Sequence, residues 1–310
     1  MPNKNSIKLH IKNETATLKS VVLGIANQNG STPKPEDCYD PKSKLHVLAG
    51  TYPKELDMIC EMEAFNQVLI KYGVKVYRPE VLKDVNQIFA RDIAFVIDDL
   101  FFKSNILPDR INELQAIDYV INQMNPQKVV TLPKNVHVEG GDVMPWNDFL
   151  FVGTYTASDY PNQITARTNK FAVDYLTAKF PNKIVKAFEL RKSTNPKENA
   201  LHLDCCFQPV GKDKAIIHKN GFLNEADYQF LIDLFKPQDV FEITKDEMFN
   251  MNSNVFSISE KVVVSENNFT RLNHWLKEKG FTVEAIPYAE IAKQEGLLRC
   301  STLPLERERQ

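Results

Sequence analysis

Apolar residues along the chain fall into short runs closed by polar pairs or turn residues, and between the runs lie longer stretches with apolar positions three or four apart. From Ile93 the run Ile-Ala-Phe-Val-Ile meets Asp98-Asp99 and is followed by Leu100-Phe-Phe. A stretch from about Pro108 to Met124 then places Ile111, Leu114, Ile117 and Ile121 on one helical face, and Val129-Val-Thr-Leu132 closes the unit. The order is strand, strand, helix, strand.

The order recurs from Leu203: a strand over 205–210, a turn at Gly211-Lys-Asp213, a strand over 215–218, a helix over 225–235 and a strand over 240–243. It recurs again from Val255, with Val-Phe-Ser-Ile, the turn Ser-Glu-Lys, Val262-Val-Val264, a helix carrying Phe269, Leu272 and Leu276 that stops at Gly280, and a strand over 281–286. Two looser copies complete the series. One runs from Phe149 through a helix over 162–180 into Ile184-Val185; the other joins Val21-Val-Leu23 to a helix over 56–72 and a strand over 74–77. Units of roughly 50 residues that cannot each bury their own sheet face pack around a shared centre. The expectation is one closed α/β domain over residues 1–310, with the same end of each unit's first strand facing one axial mouth.

Composition narrows the function classes. The 310 residues are 43% hydrophobic with a net charge of −2, which allows a large core and supplies no cationic field for nucleic acid. No secretory leader is evident at the start, and no uncharged apolar stretch approaches a membrane span of about 18 residues, so a cytoplasmic location with no membrane partner is expected. Five cysteines, an odd number without CxxC spacing, argue for reduced thiols and against a disulfide framework or a zinc ribbon.

The chemistry-bearing residues sit where the apolar runs break. Arg91-Asp92 precedes one unit, Glu139-Gly-Gly-Asp142 another and His202-Leu-Asp204 a third, while Cys300 follows the last helix. Each has a plain structural alternative: a helix cap for Asp92, a positive-φ turn for the glycines, a satisfied core histidine for His202, an inert buried thiol for Cys300. Their joint placement at unit mouths favours a shared pocket. The residue types suit a guanidinium, a planar cation with paired N–H donors that Asp92 and Asp204 would hold in fork geometry. Cys300 would attack its central carbon, His202 would serve as general acid and base, and Glu139 would orient the imidazole.

These segments, with Arg167-Thr-Asn169 and Arg299-Cys-Ser-Thr-Leu-Pro304, resemble in order and spacing the guanidino-group-modifying superfamily of arginine and agmatine deiminases, dimethylarginine dimethylaminohydrolases and amidinotransferases. The resemblance implies a five-bladed pseudo-symmetric α/β propeller of ββαβ units (pentein-like), with Cys300, His202 and Glu139 catalytic and Asp92 and Asp204 clamping the guanidinium. It also implies substrate-carboxylate contacts from Arg167 and from Arg110 in Arg-Ile-Asn-Glu113. Glu139 within Glu-Gly-Gly-Asp is similar to the hydrolytic members, and Asp204 after His202 to deiminases and amidinotransferases. Gln294-Glu-Gly-Leu-Leu-Arg-Cys300 departs from the family by lacking the glycine run that usually precedes the cysteine, and Gly73-Val-Lys-Val-Tyr-Arg-Pro79 is similar to amidinotransferases.

The favoured expectation is a deiminase-type hydrolase of arginine or a derivative, acting through a covalent amidino-thioether without metal or cofactor. Amidino transfer to an amine is the second reading and a noncatalytic binding protein of the same fold the third. A homodimer is compatible with all three.

Overall fold

In a computed structural model that describes residues 6–161 and 164–309, the chain forms five three-stranded sheets. The first unit contains β1 (Leu18–Leu23), the helices α1 (Pro41–Leu48) and α2 (Glu55–Lys71), and β2 (Lys75–Tyr77). The second begins with a single turn, α3 (Ala90–Ile93), and continues through β3 (Ala94–Ile97), β4 (Leu100–Lys103), α4 (Asp118–Ile121) and β5 (Val129–Thr131). The third comprises β6 (Val143–Trp146), β7 (Phe149–Thr154), α5 (Lys170–Lys179) and β8 (Ile184–Glu189). The fourth runs β9 (Phe207–Val210), β10 (Lys214–Ile217), α6 (Glu225–Phe235), β11 (Val240–Glu242) and a short α7 (Lys245–Phe249). The fifth is β12 (Phe256–Ser259), β13 (Val262–Glu266), α8 (Thr270–Glu278) and β14 (Thr282–Ile286), after which β15 (Thr302–Arg307) returns to the first unit.

Within every sheet the first two strands are antiparallel and the second and third parallel, the latter joined by a helical crossover. Burial grades along that order. β3, β6 and β9 are buried at every residue, whereas β2 and β5 are buried at none. The uninterrupted apolar runs of the first strands therefore belong at the centre, and the mixed third strands at the rim.

Local sequence accounts for the joints. Asp98 and Asn147 take left-handed φ of 52° and 57° in two-residue turns between β3 and β4 and between β6 and β7, positions that Asn and Asp tolerate. The Asn169 side chain caps α5 by accepting from the Ala172 N–H, and Gly280, at φ 86°, ends the turn after α8. Among the described residues no helix is long and apolar enough to cross a membrane.

Three elements differ from the pattern-based reading. Residues Pro108–Ile117 wind as a 3-10 helix, with only Asp118–Ile121 completing an α turn. Three residues per turn bring Arg110 and Glu113 onto one edge, where they pair at 2.8 Å in a buried ion pair beside the apolar positions Leu114 and Ile117. β6 escaped notice because Pro145 breaks its apolar run, yet it pairs with Leu150 as part of the innermost strand. The helix expected from residue 162 starts at Lys170; residues 162–163 lie outside the described residues. The incomplete N-terminal copy is completed from the other end of the sequence, since β15 pairs antiparallel with β1 in the sheet order β15-β1-β2.

Candidate active site

The five innermost strands β15, β3, β6, β9 and β12 begin at Thr302, Ala94, Val143, Phe207 and Phe256, and two residues before each stand Cys300, Asp92, Gly141, Cys205 and Asn254. The repeat thus delivers one residue per unit to equivalent places at the mouth. Backbone bonds tie neighbouring units there: the Arg91 N–H donates to the Cys300 carbonyl at 2.9 Å, and the Cys300 N–H to Asn254 Oδ1 at 3.1 Å. The two glycines of Glu139-Gly-Gly-Asp142 are not positive-φ residues. A Cβ at Gly140 would lie 2.1 Å from the Arg91 carbonyl oxygen and one at Gly141 2.8 Å from the His202 ring, so close approach, not turn conformation, requires glycine.

Glu139, His202, Asp92, Asp204 and Cys300, which the sequence placed in one pocket, are all buried and lie together. His202 Nε2 is 2.7 Å from Glu139 Oε2, and Nδ1, on the opposite side of the ring, faces Asp92 Oδ1 at 3.9 Å. Cys300 Sγ lies 3.5 Å from Asp204 Oδ2. Cys205, expected within an apolar strand, instead occupies the turn before β9, where its thiol receives the His202 N–H.

Four guanidiniums of the chain itself occupy this region. Arg299 reaches Asp204 at 2.8 Å, Glu14 through two nitrogens at 3.1 Å each, and the carbonyls of Gly141 and Val143. Arg110 forks onto Glu113 with two bonds of 2.8 Å and gives a third of 2.8 Å to Asp92. Arg167 contacts Glu139 at 3.4 Å and donates to the Tyr39 carbonyl at 2.6 Å. Arg91 bonds the Arg299 carbonyl and Thr302 Oγ1. Buried charges at this density persist only when each is paired and hydrogen-bonded. Two polar atoms of the site, Asp92 Oδ1 and Arg167 Nε, find no hydrogen-bond partner among the described residues.

The electrostatics follow from these contacts. Burial penalises the charged imidazole, yet Asp92 and the Glu139 hydrogen bond outweigh it and lift His202 to about 9, so it is imidazolium at neutral pH. Burial also opposes ionisation of Glu139, but Arg167, His202 and Arg110 hold it well below the usual carboxylate range. Burial first, then Asp204 and Asp92, push the Cys300 thiol well above its ordinary value. Burial raises Glu113 to about 7 in spite of Arg110. The resting arrangement is therefore a neutral thiol beside a charged imidazole.

A loop closes the mouth. Tyr39 lies with its ring 5.7 Å from the guanidinium carbons of both Arg110 and Arg167. Asp40 fixes the following turn by accepting the Ser43 N–H at the start of α1. Two hollows share this segment as a wall: one of 370 Å³ bordered by Tyr52, Asn86, Arg110 and Glu113, and a larger acidic one bordered by Glu36, Asp109 and Asp159.

Asp92, Glu139 and His202 offer ligand atoms within 4.8 Å of one another, spacing that a metal ion could use. Arg110 and Arg167, 3.8 and 3.4 Å from Glu139, already supply the positive charge there, so the donor set suits an imidazolium better than a dication.

Sequence reasoning missed Glu14, Tyr39, Glu113 and Asn254. Of these only Asn254 carried a signal, its place two residues ahead of an innermost strand.

The family model described as N,N dimethylarginine dimethylhydrolase, eukaryotic, matches residues 54–307. The uncharacterized protein YkgA of Bacillus subtilis (strain 168) is 30% identical over 222 residues, covering 71% of this chain and 70% of that protein. An arginine deiminase of Streptococcus uberis is 28% identical over 204 residues, or 56% of this chain and 48% of the deiminase. Among solved structures, SxtG, an amidinotransferase from Microseira wollei in the saxitoxin biosynthetic pathway, superposes with a TM-score of 0.75 at 17% identity, covering 97% of this chain and 98% of that one.

Proposed function

This chain belongs to the guanidino-group-modifying superfamily, through the dimethylarginine hydrolase family whose model spans most of its length, and on that premise we propose that it hydrolyses an arginine-like guanidino compound with Cys300 as nucleophile. The observation that carries the proposal is the gathering of Cys300, His202, Glu139, Asp92 and Asp204 in one buried cluster from separate units. A binding protein of the same fold has no use for that set together.

Asp92 and Asp204 accept the substrate guanidinium, and the partnerless Asp92 Oδ1 is the first point of contact. The incoming cation offsets the two carboxylates that hold the thiol neutral, so Cys300 gives its proton to solvent as the substrate is enclosed. The thiolate attacks the central carbon and forms the S–C bond. His202, charged at rest, donates its Nδ1 proton to a terminal nitrogen, the C–N bond breaks, and ammonia or an amine departs. Neutral His202 then takes a proton from water as the water's oxygen bonds to carbon; the C–S bond breaks, the adduct's hydroxyl proton passes to the departing sulfur, and the neutral thiol and a ureido product result. Glu139 holds the ring throughout. Arg167, with Nε unpartnered, takes the substrate carboxylate once Tyr39 moves away; Arg110, committed to Glu113, holds Asp92 in place.

Transfer to an amine shares every step up to the adduct. The match to the dimethylarginine dimethylhydrolase family model, with Glu139 in Glu-Gly-Gly-Asp142 as in the hydrolytic members, favours water as the second nucleophile. Incubation with a panel of guanidino compounds, with and without amine acceptors, and mass analysis of products separates the two. A ureido product without acceptor is expected; product formed only with acceptor overturns hydrolysis.

A further inference from the structure

Of the five positions two residues ahead of the innermost strands, Asp92 and Cys300 have roles in the reaction proposed above, Gly141 makes room for His202, and Cys205 receives the His202 N–H. The fifth, Asn254, is fully buried and touches Cys300 twice. Its Oδ1 accepts the Cys300 N–H at 3.1 Å, and its Nδ2 lies 3.1 Å from Cys300 Sγ and 3.4 Å from the Asp204 carbonyl. The orientation of the amide is fixed by this pattern, because a backbone N–H can only face the oxygen, which leaves the NH2 group for sulfur and the carbonyl. Asn254 is itself held by the backbone: its N–H donates to the Met251 carbonyl at 2.9 Å and its carbonyl accepts the Arg299 N–H at 3.2 Å.

We infer that Asn254 is a positioning residue for the nucleophile, holding the Cys300 peptide through Oδ1 and aiming and stabilising the thiolate through Nδ2. The inference rests on the reading of Cys300 as nucleophile. The need for such a donor is visible in the surroundings of Sγ. The titratable groups that face it are Asp204 and Asp92, both opposing ionisation, Arg299, which favours it, and the further acids Cys205 and Tyr288. Arg299 is saturated by Glu14, Asp204 and two carbonyls, so the donors directed at sulfur are the Leu297 backbone N–H and Asn254 Nδ2, and of these Asn254 is the one that a side-chain substitution removes. With Asp204 Oδ2 at 3.5 Å to accept the thiol proton and Nδ2 at 3.1 Å to donate, the sulfur is held by named partners before any substrate arrives.

The test separates this role from simple packing. Asn254→Asp keeps an acceptor for the Cys300 N–H but replaces the donor at sulfur with charge, and Asn254→Ala removes both. The rate of Cys300 alkylation by iodoacetamide, followed by peptide mass from pH 6 to 10, reads the thiolate without any substrate. At a given pH below its midpoint the rate is expected to fall about tenfold or more in both folded variants, the worth of a hydrogen bond to a charged group, with the midpoint moved to higher pH. Turnover of the guanidino substrate identified by the panel is expected to drop in kcat with KM within about twofold. An unchanged midpoint in Asn254→Asp overturns the inference, as does equal alkylation in both variants and wild type. Should wild-type protein turn over no guanidino compound while the midpoint still moves, the proposed reaction fails and the positioning role stands.

Discussion

At the scale of single residues, the site is an account of which charge faces which. Cys300 is a buried thiol held neutral by burial and two carboxylates, so its reactivity depends on what the substrate brings. Cys300→Ser is expected to keep the fold and lose nearly all turnover, because a hydroxyl beside a protonated imidazole has no base to activate it; steady-state assay beside a thermal melt checks this, and appreciable residual turnover removes Cys300 from the mechanism. Asp92→Asn is expected to weaken guanidinium binding in a Cys300→Ser background by about 1.5–3 kcal/mol. Calorimetric titration reads it, and unchanged affinity means that the cation is held elsewhere. Much of this was legible in the sequence: Asp92, Glu139, His202, Asp204 and Cys300 each break an apolar run. The internal partners were not. Glu14 pairs with Arg299 across 285 positions and Tyr39 reaches Arg167 across 128, and no local pattern announces contacts of that span.

At the scale of elements, the innermost strands β3, β9 and β12 were legible because burial on both faces writes a continuous apolar run, and α6 because its apolar spacing is helical. β6 was not, for its proline, and Pro108–Ile117 was legible as helical but not as 3-10, because apolar residues at Ile111, Leu114 and Ile117 suit either winding. The loop before Cys300 shows what replaced the missing glycine run. Glu295 takes a left-handed φ of 59° ahead of Gly296, accepts Asn199 Nδ2 at 2.7 Å and lies against Asp40, which starts α1. Burial, then the charge and hydrogen bond of Asp40, raise Glu295 to about 8. Its folded value thus exceeds the ordinary 4.5 of an unfolded chain, so the folded state binds the extra proton. The stability this contributes is complete below about pH 4.5 and lost as pH rises towards 8. Unfolding in urea at intervals between pH 5 and 8 is expected to show stability falling in wild type and a flatter profile in Glu295→Gln. Glu61 and Glu113, raised by burial to about 7, leave a residual slope of the same sign. Identical slopes in the two proteins would mean that the Asp40–Glu295 contact carries no proton linkage.

At the scale of the whole molecule, five units share one centre, but only the first is assembled from distant parts of the sequence, β15 lying against β1. Leu18 pairs with Arg307 and Leu23 with Thr302, so the outer ends of the two strands leave the sheet side by side. Tension applied between handles attached at Thr17 and after β15 therefore loads the β1–β15 ladder one hydrogen-bond pair at a time, as a zip opens, with the two His10 bonds to Leu305 and Arg307 as the further tie on the departing strand. Cys300 lies two residues behind β15 and is drawn out directly after it. In an optical trap the protein is expected to yield first in a small, low-force extension that releases the last strand, with the other four sheets still folded, and catalysis is expected to stop at that step. A single high-force rupture of the entire chain would show that the clasp is not the weakest seam. The same arrangement makes the proposed nucleophile a mechanical fuse, disarmed by peeling a single strand.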